Sequence, residues 1–182
     1  MAISAKDIAA LRKATNCGLL DCKKALTESE GDFDKAVEIL RKRGQAKAVK
    51  KAGREANEGI VVAKVEGNKA AITQLSCETD FVGNTDRFRD YASSLLEKTI
   101  ANDTNGDVTE VMATQEKDDL VTMIATIGEN MQIVSAQSWT SEGQLHTYIH
   151  GNGRIGVLVD VEGEIDAAGI KSIGMHIAAF RP

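Results

Sequence analysis

Three histidines, three cysteines and one glycine-rich stretch are the residues of this chain with chemistry to offer. His146 and His150 stand four apart in an alternating segment, hence on one face of a strand. His176 falls in a helical pattern with no cysteine or acid at ligand spacing. Nor do Cys17 and Cys22 match a zinc ribbon, so no metal is expected. Cys22 and Cys77 read as small core residues. No Ser/His/Asp or Cys/His order forms a catalytic triad. Gly151-Asn152-Gly153-Arg154-Ile155-Gly156 fits G-x-G-x-x-G, but that motif needs a strand, a glycine turn and then a helix N-terminus to receive a pyrophosphate. Here apolar alternation flanks both sides, so the glycines belong to a hairpin turn and its outgoing strand.

What remains is a set of side chains placed where burial is difficult. Ser76-Cys77-Glu78-Thr79-Asp80-Phe81-Val82 leaves an apolar strand containing Ile72 and Leu75, then enters the loop Gly83-Asn84-Thr85-Asp86. Burying a Phe side chain is worth roughly 1.5–3 kcal/mol. Composition alone therefore folds Phe81 back into its own core. The alternative makes Asp80 and Phe81 a probe aimed at another protein. Leu19 and Leu20 pose a similar question, because adjacent helical residues cannot share one buried stripe. One can be core while the other is exposed, and an exposed apolar residue in a short bundle is a reasonable anchor. His150, at a turn, reads by itself as a solvated histidine.

These residues need elements to hold them. Ser4-Ala5-Lys6-Asp7 is a capping box opening a helix with an Ile8, Leu11, Ala14 stripe. A second helix begins near Leu19 and buries Cys22, Ala25 and Leu26. A third follows the N-cap Asp32, with Phe33, Ala36, Val37 and Leu40 inward, and ends at Gly44. Residues 45–58 are a basic helical linker. The pattern then turns β, with Ile60–Val65 and Ala70–Cys77 joined at Gly67-Asn68, a two-residue hairpin signal. Phe88, Tyr91, Ala92, Leu95 and Leu96 mark an amphipathic helix. A polar loop over 102–107, a helix carrying Leu120, Val121, Ile124 and Ile127, and a strand from Met131 to Trp139 follow.

The second half repeats the first. A shift of 84 positions carries Gly59 onto Gly143, Gly67 onto Gly151, Asn68 onto Asn152, and Ile72 onto Gly156. A two-residue deletion then brings the Phe88 helix onto Ile170, Ile173, Gly174 and Ile177. Glu164 and Ile165 replace the Asp80-Phe81 pair in a shorter loop, and an altered loop on a repeated fold suggests function. The expected fold class is α+β: a three-helix bundle over 1–44, the linker over 45–58, and two antiparallel hairpin–helix units over 59–139 and 140–182.

Composition narrows the partners. No apolar run approaches the ~20 residues that span a bilayer, so no membrane partner is expected. The N-terminus reads as neither signal nor transit peptide. Three cysteines without framework spacing suit a reducing cytosol, so a cytoplasmic location is expected. The net charge of −5 is unevenly spread: residues 1–58 hold 13 Lys+Arg against 9 Asp+Glu, leaving 9 against 18 beyond. Seven of the basic residues lie within 41–54. That run could touch RNA, but it lacks interleaved aromatics for stacking. A solvated helix face is the simpler reading, and nucleic acid is not the expected partner.

Three stretches resemble elongation factor Ts, and in the family's order: Asp21-Cys22-Lys23-Lys24-Ala25-Leu26, Cys77-Glu78-Thr79-Asp80-Phe81-Val82 and Met175-His176-Ile177-Ala178-Ala179. The resemblance runs from Ile8 to Pro182, with Asn16-Cys17 in place of the family's usual Gly-Ala. It implies an N-terminal bundle similar to ubiquitin-associated domains and a guanine-nucleotide exchange activity on elongation factor Tu, in its GDP-bound and nucleotide-free forms. It further implies that the Leu19-Leu20 position, usually Met-Met, docks on that GTPase. The probe loop would push Phe81 between two of the GTPase's helices with Asp80 beside it, Val82 would also bind it, and His150 would touch it. The resemblance further implies a factor that makes and breaks no covalent bond, hence no enzyme in that sense, with no cofactor of its own. Family members with this order continue into a helical protrusion and a strand completing the second β unit, so this chain is expected to be a fragment or a shortened form. Two rivals from other classes stand beside this: a peptide-binding adaptor using the bundle, and an RNA-binding protein using the basic linker, which a steep salt dependence would favour.

Overall fold

A computed structural model describes residues 3–181. In chain order its elements are helices α1 (Ala5–Thr15), α2 (Leu19–Glu28) and α3 (Phe33–Lys51), then strands β1 (Glu58–Glu66) and β2 (Lys69–Cys77). Next come α4 (Asp80–Gly83), α5 (Asp86–Ile100), β3 (Gly106–Asp107), α6 (Thr109–Gln115) and α7 (Lys117–Ile127). The chain closes with β4 (Met131–Thr140), β5 (Gln144–His150), β6 (Ile155–Val161) and α8 (Ala167–Phe180). The fold class is α+β, as expected, with three N-terminal helices ahead of a strand-and-helix core. Two compact units share these elements. One comprises Met1–Glu55 with Glu116–Met131, the other Ala56–Gln115 with Gln132–Pro182.

In the first unit the capping box forms: Ser4 Oγ accepts from the Asp7 N–H, and Ser4 N–H donates to the Asp7 carboxylate. Asp32 caps α3 by accepting from Lys35 N–H. Leu11, Cys22, Ala25, Leu26, Ala36 and Leu40 make the buried core. Ala14 and Phe33, read as members of the apolar stripes, are exposed instead. Gly44 does not end α3, which continues to Lys51. The glycine serves packing there: a Cβ at Gly44 would stand 3.4 Å from Val121 Cγ1 and 3.6 Å from Ala125 Cβ, so it lets α7 lie close against α3.

In the second unit the four-stranded sheet runs β1-β2-β4-β3, and β5-β6 form a separate pair. Helix α5 covers β1 and β2 through Phe88, Ala92, Leu95 and Leu96, all buried. Helix α8 covers β5 and β6, with Ile170 and Ala178 against Val157 and Val159. The hairpin–helix repeat is therefore present, with one correction to its alignment. Glu66 pairs with Lys69 across two residues, whereas His150 pairs with Ile155 across four. Ala63 pairs with Ile72, and its counterpart Thr147 pairs with Leu158. The partner of Ile72 in the repeat is thus Leu158, not Gly156. Gly156 lies against Ile72: a Cβ there would meet Val61 Cγ1 at 2.4 Å and Ile72 Cδ1 at 2.9 Å. That glycine leaves room for the hairpins to pack face to face.

Candidate functional site

The Asp80-Phe81 segment is a single helical turn rather than a loop. Thr79, extended at φ −127°, caps it by accepting from Val82 N–H at 3.4 Å. Asn84 closes it, its N–H and its side-chain amide both donating to the Asp80 carbonyl, the latter at 2.9 Å. Thr85 Oγ1 donates to Val82 O at 2.8 Å. The turn sits on glycine. Gly83 is buried, and a Cβ there would stand 3.5 Å from Cys77 Sγ and 3.7 Å from Gly59 Cα. Gly59, at φ +139°, has its missing Cβ position 2.1 Å from Leu75 O, so no other residue fits there. With its base held so tightly, the turn sends its first residues outward. Phe81 is 83% exposed, Asp80 is exposed and Val82 is half-buried. The reading that folded Phe81 into its own core is wrong. In the second copy the corresponding Ile165 packs on the core, as an apolar residue without a partner should.

His150 ends β5 and is exposed, sharing a 3.0 Å hydrogen bond between its Nδ1 and Tyr148 Oη. The turn beyond it is left-handed at Gly151, Asn152 and Gly153. It is fastened to β1 twice: Val61 N–H donates to Gly153 O at 2.7 Å, and the Arg154 guanidinium pairs with Glu58. Arg89 of α5 reaches both turns, donating to Asn84 Oδ1 at 3.1 Å and Asn152 Oδ1 at 3.3 Å. Through Asn84 and Asn152, Arg89 thus links the turn that carries Asp80, Phe81 and Val82 to the turn that follows His150. Arg89 and Asn152 were missed by sequence reasoning. Nothing in the spacing of 84, 89 and 152 signals their meeting.

The first unit carries the other pair. Leu19 and Leu20 open α2 behind Gly18, which supplies no side-chain cap. Leu19 is 55% and Leu20 70% exposed, so neither is core. The inward face of α2 is already filled by Cys22, Ala25 and Leu26. Burial pushes the Cys22 thiol's pKa up, opposed by its contact with Thr15, so it stays a neutral core group. The basic run is largely answered by local acids: Arg41 and Lys42 by Glu38, Arg43 by Glu28, Lys47 by Asp21 at 3.0 Å. Lys51 donates to the Gly128 carbonyl. Among the described residues no cluster of three or more His, Cys, Asp or Glu could hold a metal. No helix among them is long and apolar enough to cross a membrane.

Residues 78–182, beginning at the outward turn, match the family profile described as Elongation factor TS. Elongation factor Ts of Hydrogenobaculum sp. (strain Y04AAS1) is 45% identical over 192 residues, covering all of this chain and 69% of that protein. The chain belongs to the elongation factor Ts family. Elongation factor Ts of Aquifex aeolicus (strain VF5) is 40% identical over 200 residues, again over the whole chain and 69% of the relative. That of Halothermothrix orenii is 44% identical over 195 residues, covering 65% of its length. As a member of the elongation factor Ts family the chain is a translation elongation factor.

Proposed function

We propose that the chain is a guanine-nucleotide exchange factor that promotes GDP release from elongation factor Tu in the cytoplasm, engaging both its GDP-bound and nucleotide-free forms. One observation carries the reading: Phe81 is 83% exposed on a turn whose base is pinned by glycines. A rigid aromatic displayed in this way suits insertion between two helices of a partner. Leu19 and Leu20 hold the GTPase, Phe81 wedges it, and Asp80 and Val82 flank the wedge. His150 adds a contact from the neighbouring turn. The disturbance reaches the partner's magnesium and phosphate loop, and GDP leaves. No covalent bond is made or broken and no cofactor of this chain takes part. Factor and nucleotide weaken each other's binding reciprocally, because the coupling free energy is shared.

The test is single-turnover release of fluorescent GDP from elongation factor Tu. The chain should accelerate it. Phe81→Ala should slow release at saturating factor by about ten- to a hundredfold, since the ring's burial is worth roughly 1.5–3 kcal/mol and about 1.4 kcal/mol is tenfold. Asp80→Ala should do less, because a carboxylate at a wet edge is partly screened. A folded Phe81→Ala chain that releases GDP as fast as the parent refutes the wedge.

A further inference from the structure

We infer that Arg89 and Asn152 form a brace that fixes the Phe81 turn relative to the His150 turn, so that both meet the partner as one surface. This deepens the exchange reading and rests on it.

A continuous path of hydrogen bonds joins the two turns. Asn84 Nδ2 donates to the carbonyl of Asp80, the residue beside Phe81, at 2.9 Å. The Asn84 side-chain oxygen, Oδ1, accepts from Arg89 Nη2 at 3.1 Å. Arg89 Nη1 donates at 3.3 Å to Asn152 Oδ1, two residues past His150. A half-exposed arginine could hydrate itself fully and needs no protein partner. Its planar fork is suited to bridging two oxygens at a set angle, and bonds from a guanidinium are charge-assisted. Asn152 stands at φ 58°, a conformation most side chains avoid but asparagine tolerates. The position thus supplies a carbonyl where glycine would supply only backbone. The turn's attachment to β1 is independent of this bridge, through Val61 N–H to Gly153 O and Arg154 to Glu58. The Phe81 turn likewise keeps its Thr79 cap and its glycine seat. Removing the brace should therefore leave the fold intact while freeing the two turns from each other. Arg89 is in this account a positioning residue.

Three variants test it. Asn152→Gly removes the carbonyl and keeps the left-handed backbone. Asn152→Asp keeps an oxygen at the same reach. Arg89→Met removes the fork and keeps the stem. With thermal melts confirming folding, Asn152→Gly and Arg89→Met should each lower the maximal rate of GDP release about three- to tenfold. The half-saturating factor concentration should stay within about twofold, and Asn152→Asp should match the parent. The double variant should be no slower than Arg89→Met, as expected of two residues in one interaction. An unchanged maximal rate in Asn152→Gly overturns the brace. So does a loss confined to the half-saturating concentration. A defect in Arg89→Met without one in Asn152→Gly would mean that the arginine touches the partner directly, which also overturns it. Amide exchange in the free chain separates this inference from the exchange reading. In segment 79–85 exchange should quicken about threefold in Asn152→Gly and not in Asn152→Asp, whether or not the parent releases GDP. Identical exchange in all variants overturns the brace on its own.

Discussion

Phe81 and Phe88 lie seven positions apart, one 83% exposed and the other with no exposure at all. The sequence could place Phe88, because Ala92, Leu95 and Leu96 follow it at helical spacing. It could not place Phe81, whose direction depends on a turn seated against Gly59, a residue of another strand. Leu19 and Leu20 were half legible: their adjacency ruled out burying both, and the filled inner face of α2 leaves both out. Replacing both with Ala should weaken capture of elongation factor Tu by at least tenfold, with helix content preserved because Ala is a strong helix former. Titration against nucleotide-free partner, with circular dichroism alongside, gives the answer. Unchanged affinity in a folded variant removes the pair from the docking account.

Helices α1 and α3 both begin at side-chain caps, and each cap has a pH signature. The Ser4 hydroxyl, then the Ser4 backbone N–H, holds the Asp7 carboxyl below the usual carboxylate range. The Lys35 backbone N–H, then the Lys35 ammonium, does the same for Asp32. Since both folded values lie below the unfolded ones, their contribution is complete above about pH 4 and disappears as pH falls through the lowered values. Asp32→Ala should lower the melting temperature near neutral pH by about 2–4 °C, the ordinary loss for a cap. It should also narrow the difference between neutral and acid melts. A variant that melts like the parent at both extremes would show that the cap is idle. These caps were readable because a cap is local. The end of α3 was not, since Gly44 owes its place to Val121 and Ala125, far along the chain. The four-residue turn of the second hairpin was hidden for the opposite reason: Gly-Asn recurs in both copies, and only strand register reveals the extra residues.

Over the whole chain, the first unit is discontinuous, its N-terminal helices joined by Glu116–Met131. A cut after Gly44 would divide α3 and strip α7 of part of its cover, including the glycine that receives Val121. Residues 45–182 alone should therefore bind a hydrophobic dye and self-associate at concentrations where the full chain does neither. A monodisperse, dye-silent truncation would show that α7 does not depend on α3. The repeat in the second unit raises a different matter, that of sorting. One chain holds two hairpins of similar pattern, so the edge of β2 that faces away from β4 has two candidate partners, β1 and β5. Only two residues separate β2 from β1, while the chain from Cys77 to Gln144 separates it from β5. Closure entropy rises with the length of the loop, and a short hairpin forms within roughly microseconds. Each copy thus zips to its own neighbour before the other comes within reach, and the tight turns act as proofreaders against strand exchange.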